Sequence, residues 1–293
     1  MLARFRVSIC TAGLVAAMLL SQAASAEDAS GLEGLELFFG LDGSKQPQDF
    51  GVNANLGPRL SAGYAAPLFD GSPLWMQFGT AVEYSDNAVR VYEVLGASRN
   101  RFQNHTTAGL FYRGDRWRYG MVYDHLYQDG FDVVHLGQVR GRVAHRVDDD
   151  TELGVTVRQS VRDDEARFLG RRVTLDSFNQ YTAYWRETFE TGNEVTLWGG
   201  VVGEHGESNV VTGDGKVQRA SPVFGADIRC PLNDRLAIYG ETNMTFPADS
   251  GTVDAYLGFM WYPGRTAKTR RWDSAAPLLP IASDPTFSVD LQP

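Results

Sequence analysis

The sequence predicts an all-β protein, a single antiparallel up-and-down transmembrane β-barrel of about twelve strands. Three observations carry this. Apolar and polar residues alternate in segments of about ten residues, the length a tilted strand needs to cross a bilayer. Beyond residue 26 there is no run of 18 or more apolar residues, so helical spans are excluded and a closed sheet remains to satisfy the backbone in hydrocarbon. Short and long links also alternate along the chain, as they do when turns gather at one end of a barrel and loops at the other.

The chain opens with Arg4 and Arg6, an apolar run over residues 7 to 20, and the small residues Ala24, Ser25 and Ala26 before Glu27. That is the layout of a secretory signal peptide, residues 1–26, followed by a lead-in over 27–34. Cys10 lies inside the leader, so after cleavage Cys230 stands alone and no internal disulfide forms. Cleavage leaves 25 basic and 36 acidic groups, a net charge of −11, which argues against a nucleic-acid partner.

Alternation, bounded by Gly, Asp, Asn and Pro clusters, marks strands over 35–42, 50–64, 74–85, 102–113, 117–128, 132–145, 151–161, 178–189, 194–204, 222–230, 235–246 and 254–262. Segments 114–116, 145–151, 188–194 and 230–235 read as tight turns, and 86–101, 162–177 and 203–221 as long charged loops. Two links depart from the rule: 65–73 is long for a turn and 128–131 short for a loop. An even strand count places both ends of the barrel, 35–262, on the turn side, the periplasmic side in bacterial barrels. Residues 263–293, with four basic residues between 265 and 271 and then prolines at 277, 280, 285 and 293, read as a disordered extramembrane tail.

Parity sorts the faces. Leu74, Met76, Phe78 and Val82 are assigned to lipid, and Gln77, Gly79, Ala81 and Glu83 to the lumen. An arginine facing lipid near the midplane costs ~2–4 kcal/mol, so charges are placed inward. The predicted pore-lining set is Arg113, Arg118, Arg140, Arg142, Arg158 and Arg186, opposed by Glu83, Asp124, Glu152, Glu204, Asp227 and Glu241; Arg59 has the same parity. Such charges either set the selectivity of a wet channel or pair with one another and stabilise the wall. Size alone leaves the choice open, because about twelve strands lie between filled eight-stranded barrels and open porins.

No catalytic constellation emerges, and neither an enzyme activity nor a cofactor is expected. The histidines at 105, 125, 135, 145 and 205 have no metal-ligand spacing. Asp124 and His125 are adjacent in a strand and point to opposite faces. The acidic run Glu204, His205, Gly206, Glu207 with Asp214 reads as a solvated loop rather than a calcium site. Trp198 faces inward with too few partners to form a sugar-stacking track. Aromatic residues at strand ends, such as Trp117, Tyr119 and Tyr181, fit interfacial girdles.

The run from Leu41 through Asp42, Gly43, Ser44, Lys45, Gln46 and Pro47 to Asn53 resembles the opening of an uncharacterised family of outer-membrane-like barrels from planctomycete bacteria. Residues 136–142 (LGQVRGR), 224–227 (FGAD), 231–234 (PLND) and 247–258 (PADSGTVDAYLG) are similar to the same family. The resemblance spans about residues 35–264, leaves the C-terminal tail outside, and implies the barrel and its compartment but no substrate, cofactor or catalytic residue. The expected function is an outer-membrane, porin-like channel for passive diffusion of small polar solutes, with membrane lipid as its surroundings. The alternative is a non-conducting structural or adhesion barrel binding a surface partner through its loops. Nothing in the sequence marks an oligomer interface.

Overall fold

Alternation becomes strand wherever one side chain in two finds water or a polar lumen and the other finds an apolar medium. A computed structural model describes residues 29–45, 55–87, 100–168, 171–203, 220–246 and 252–292. Its strands are β1 (Leu35–Lys45), β2 (Asn55–Pro67), β3 (Leu74–Asn87), β4 (Asn100–Arg113), β5 (Trp117–Asp129), β6 (Val133–Arg146), β7 (Thr151–Arg162), β8 (Asp164–Phe168), β9 (Arg171–Ser177), β10 (Gln180–Thr188), β11 (Glu194–Val202), β12 (Ser221–Pro231), β13 (Leu236–Thr245), β14 (Val253–Trp261) and β15 (Val289–Gln292).

Among the described residues, 12 strands close into an antiparallel barrel in the order β1-β14-β13-β12-β11-β10-β7-β6-β5-β4-β3-β2. Each strand pairs with the next in the ring, and β1 seals against β14 from Leu37 opposite Trp261 to Lys45 opposite Val253. Closure leaves no strand edge within the wall. The outward parity carries Leu41, Leu60, Met121, Val155 and Leu257, all half or more exposed, whereas Gln103, His105 and Asp124 on the inward parity are fully buried. That is the reverse of a water-soluble protein, and hydrocarbon is the solvent that favours it.

The long link from β2 to β3 folds as a turn in which Leu68 N donates to Leu74 O at 2.9 Å and Gly71 takes φ +71°, a conformation available to glycine without strain. The short link from β5 to β6, residues 130–132, is also present. Strand β2 begins at Asn55, and the expected earlier start at residue 50 lies outside the described residues.

Two expectations are corrected. Residues 162–177, read as a charged loop, form the β8–β9 hairpin, which β15 extends to a three-stranded sheet. Its inner parity, Ala166, Val173 and Leu175, is buried in one core with Leu126, Leu136 and Phe287, so the hairpin folds over the loop end of the barrel. The second correction concerns residues 263–292. They are not a disordered extramembrane tail: they fold inward, cross the short-turn end and run through the lumen.

The face assignment makes a prediction. Leu257→Arg, at the centre of β14 on the outward parity, is expected to destabilise the bilayer-inserted barrel by ~2–4 kcal/mol in denaturant titrations in vesicles. Leu257→Ile should change stability far less.

Candidate functional site: a lumen filled by the C-terminal segment

A barrel of this size has more interior than its own side chains fill, and the chain supplies the rest. After Trp261 the segment turns under the short-turn end. There Ala267 N donates to Asp234 O at 2.7 Å, Trp272 Nε1 to Asp115 O at 3.1 Å and Arg271 N to Glu194 Oε1 at 2.8 Å. Ala267 packs with Ala237 and Tyr262, and Trp272 with Ala144 and Tyr184. From Leu278 onward the segment rises inside the wall. It emerges at the loop end, where Ser288 O accepts from Phe178 N at 2.9 Å and β15 pairs with β9.

The segment carries Pro277, Pro280 and Pro285, each without an N–H, so it presents more acceptors than donors. The wall is built the other way. Arg118 Nη1 donates to Arg271 O at 3.4 Å, Arg142 Nη1 to Leu278 O at 2.9 Å, Arg140 Nη2 to Pro280 O at 2.7 Å, Arg59 Nη2 to Ala282 O at 3.1 Å and Arg158 Nη1 to Pro285 O at 3.0 Å. Arg113 reaches Trp272 O at 3.5 Å, and Arg118 also lies over the Trp272 ring, 4.3 Å from its centroid. Guanidinium donors satisfy buried carbonyls that would otherwise cost about 1–3 kcal/mol each.

Three neutral side chains complete the grip. Gln77 acts as a surrogate peptide, accepting from Leu278 N and Leu279 N at 3.1 and 3.2 Å and donating to Leu279 O at 2.8 Å. Thr107 Oγ1 accepts from Ala282 N at 2.9 Å, and Gln138 Nε2 donates to Thr286 O at 2.8 Å. Shape adds to chemistry: Gly63 and Gly79 pair across β2 and β3, and a Cβ built on Gly79 meets Ile281 Cγ1 at 2.5 Å. The glycine pair is a notch that the isoleucine fills. Leu278 lies against Ala65, Phe111 and Trp75.

All the predicted lumen residues that are described have side chains on the inner side of the wall, but none faces an open channel along its length. Arg113, Arg118, Arg140, Arg142 and Arg158 hold the segment as above, while Arg186 pairs with Glu152 at 3.0 Å and donates to Thr196 Oγ1 at 3.0 Å. Asp124 ion-pairs with Arg140 and accepts from Thr107 and Gln138; Glu83 ion-pairs with Arg59. Asp227 accepts from Thr196 at 3.0 Å and Glu241 from Tyr256 at 2.8 Å. Glu204, and with it the acidic loop run, lies outside the described residues. Trp198 is held by Asn243 at 3.0 Å. The residual space beside the segment is broken into pockets, one of them lined by Arg142, Tyr184, Asp227 and Arg271 and another by Phe38, Ser61, Tyr239 and Ile281.

Sequence reasoning missed Gln77, Thr107, Gln138, Arg101 and Gln103 as binding residues, and also Arg229, which donates to Ala267 O and Thr269 O at 2.9 and 3.0 Å. Their inward parity was readable, but their partner was not. One signal pointed to it: residues 275–282 are alanine, proline, leucine and isoleucine throughout, which a solvated tail has no need to be.

The geometry defines a class, the lipid-facing β-barrel with a polar lumen occupied by a terminal segment of its own chain. The chain belongs to DUF6666, a family of unknown function whose model matches residues 34–289. That span includes the segment, so the feature assigned above to a tail outside the family region lies within it. No curated protein matches the sequence. Among solved structures, a membrane protein from a study of in-meso crystallization is similar at 10% identity and a TM-score of 0.50, over 88% of this chain and 100% of that one. The NanC porin is similar at 8% identity and 0.46, over 77% and 98%, and the Escherichia coli outer membrane phospholipase A at 10% and 0.42, over 77% and 89%. At such identity the first of these likenesses is one of fold.

Gln77→Leu, which strands two backbone donors and one acceptor, is expected to speed tryptic cleavage at Lys268 and Arg270 by about fivefold or more, from ~1–3 kcal/mol of lost local stability. A digestion time course read by mass spectrometry checks this against wild type.

Proposed function

We propose that the protein is an outer-membrane, porin-like barrel that is shut while its C-terminal segment is seated. Once the segment withdraws, small polar solutes diffuse along the charged wall. The observation that carries this reading is the kind of bond holding the segment. Within the barrel it is gripped by wall side chains, while every barrel strand is already paired on both sides without it. Withdrawal therefore breaks no ladder hydrogen bond of the wall and exposes Arg140, Arg142 and Arg158 on one part of the lumen and Asp227 and Glu241 on another. Such an opened wall would favour polar over greasy solutes and give a basis for charge selectivity. The leader at residues 1–26 and the apolar outer face support the outer-membrane location.

A second reading, a non-conducting structural or adhesion barrel, is favoured by one feature. The segment spans the lumen from end to end and finishes in the β8–β9–β15 sheet, a surface that a partner could grip.

Planar-bilayer recording separates the two. A variant lacking residues 276–293, shown to be folded by heat-modifiable electrophoresis, is expected to give stable conductance steps where wild type is closed or opens briefly. In that background Arg142→Glu should shift ion preference towards cations. A Thr107→Cys, Ala282→Cys, Cys230→Ser variant should be silent when oxidised and regain wild-type openings when reduced. A folded truncation with no conductance would leave the structural reading standing.

A further inference from the structure

Where the segment passes β3 and β4, three metal-ligating side chains from distant parts of the chain converge. Glu83 and His105 come from the wall and Asp284 from the segment, and one ligand atom from each lies within 4.8 Å of the others. His105 Nε2 is 3.7 Å from Glu83 Oε1 and 3.9 Å from Asp284 Oδ1. His105 is completely buried, and among the described residues neither ring nitrogen has a hydrogen-bond partner. A buried imidazole with nothing to bond to carries the desolvation cost of its N–H and of its lone pair, unless something occupies the space between it and the carboxylates.

The neighbouring groups point to what that is. Glu83 and Asp284, both buried, present carboxylate oxygens to the unbonded imidazole, which together are the donor set of a metal ion. The arginines are already committed: Arg59 to Glu83 and Ala282 O, Arg101 to Asp284 at 3.0 Å and Ser44 at 2.7 Å. Those contacts, with Gln103 Nε2 on Asp284 Oδ1 at 2.9 Å, orient the two carboxylates as outer-shell partners orient metal ligands.

We propose that Glu83, His105 and Asp284 form a binding site for a divalent transition metal of the zinc class, which clasps the C-terminal segment to the barrel wall. One imidazole nitrogen and two carboxylate oxygens are a ligand set that zinc accepts. At zinc–ligand distances of about 2.0–2.2 Å, tetrahedral ligand atoms stand about 3.3–3.5 Å apart, so the histidine–carboxylate separations of 3.7 and 3.9 Å close by a few tenths of an ångström, and the two carboxylate oxygens, within 4.8 Å of each other, draw in by about an ångström at most. A fourth position is left for water. The spacing in sequence conceals the site, because Asp284 is far from Glu83 and His105 in the chain and joins that wall pair when the segment enters the lumen.

The test uses the untagged, full-length refolded protein, stripped with chelator and dialysed against zinc chloride, with bound metal measured by inductively coupled plasma mass spectrometry. One zinc per chain is expected for wild type and for His125→Ala, a histidine on the outer wall. Asp284→Asn and His105→Gln should each bind at least about tenfold more weakly. Zinc should also slow tryptic cleavage at Lys268 severalfold in wild type and have no effect in Asp284→Asn. Absence of bound zinc in wild type, or zinc retained undiminished by both variants, would overturn the proposal. Neither readout depends on conductance, so its failure is distinct from failure of the channel reading.

Discussion

The structure depends on a mismatch of hydrogen-bonding capacity that two parts of the chain resolve for each other. The inner wall is rich in donors, because arginine and glutamine side chains project from the inward parity of β2, β3, β5, β6 and β7. The C-terminal segment is rich in acceptors, because proline removes its N–H groups at three positions within the lumen. Either part alone would demand water. Together they leave an interior in which Arg59, Arg140, Arg142 and Arg158 each meet a named carbonyl. The ion pairs along the wall, Arg140 with Asp124 and Arg186 with Glu152, then keep the remaining charge balanced where the dielectric is low.

What could be read from the sequence follows from the range of the interactions involved. The barrel rests on a local, period-two pattern with a different solvent on each side, so Leu74, Met76 and Phe78 declare their face without reference to any other strand. The same logic placed Arg140 and Asp124 inside. It could not say what lay opposite them, because Pro280 is 140 residues from Arg140 in the chain. Proline and a basic run also describe disordered tails, and composition does not distinguish a segment solvated by water from one solvated by a ring of guanidiniums. The β8–β9 hairpin was hidden for a related reason. Val173 and Leu175 alternate with polar neighbours, but the flanking arginines and aspartates suggest a loop until Phe287 and Val289 arrive to complete the core. The cluster of Glu83, His105 and Asp284 is the extreme case, since it has no motif at all.

Barrel width links these observations. Eight strands can be filled by their own side chains, and sixteen leave an aqueous pore; twelve leave a space that fits one extended polypeptide. The notch at Gly63 and Gly79, shaped for Ile281, and the apolar shelf of Ala65, Phe111 and Trp75 under Leu278 show a wall contoured for that occupant. The separation of tasks is clear in the bonding. Ladder hydrogen bonds hold the ring, and side chains hold its contents.

The path of the chain constrains its biogenesis. The segment leaves β14, one half of the β1–β14 seam, at the short-turn end and finishes beside β9 at the opposite rim. A completed ring would have to be threaded lengthwise by a chain bearing Trp272 and Phe287, against the entropy of confining it. If the two strands of the seam come together around a segment that already lies in the open sheet, no threading is needed, and the last pairing to form encloses the chain's own end.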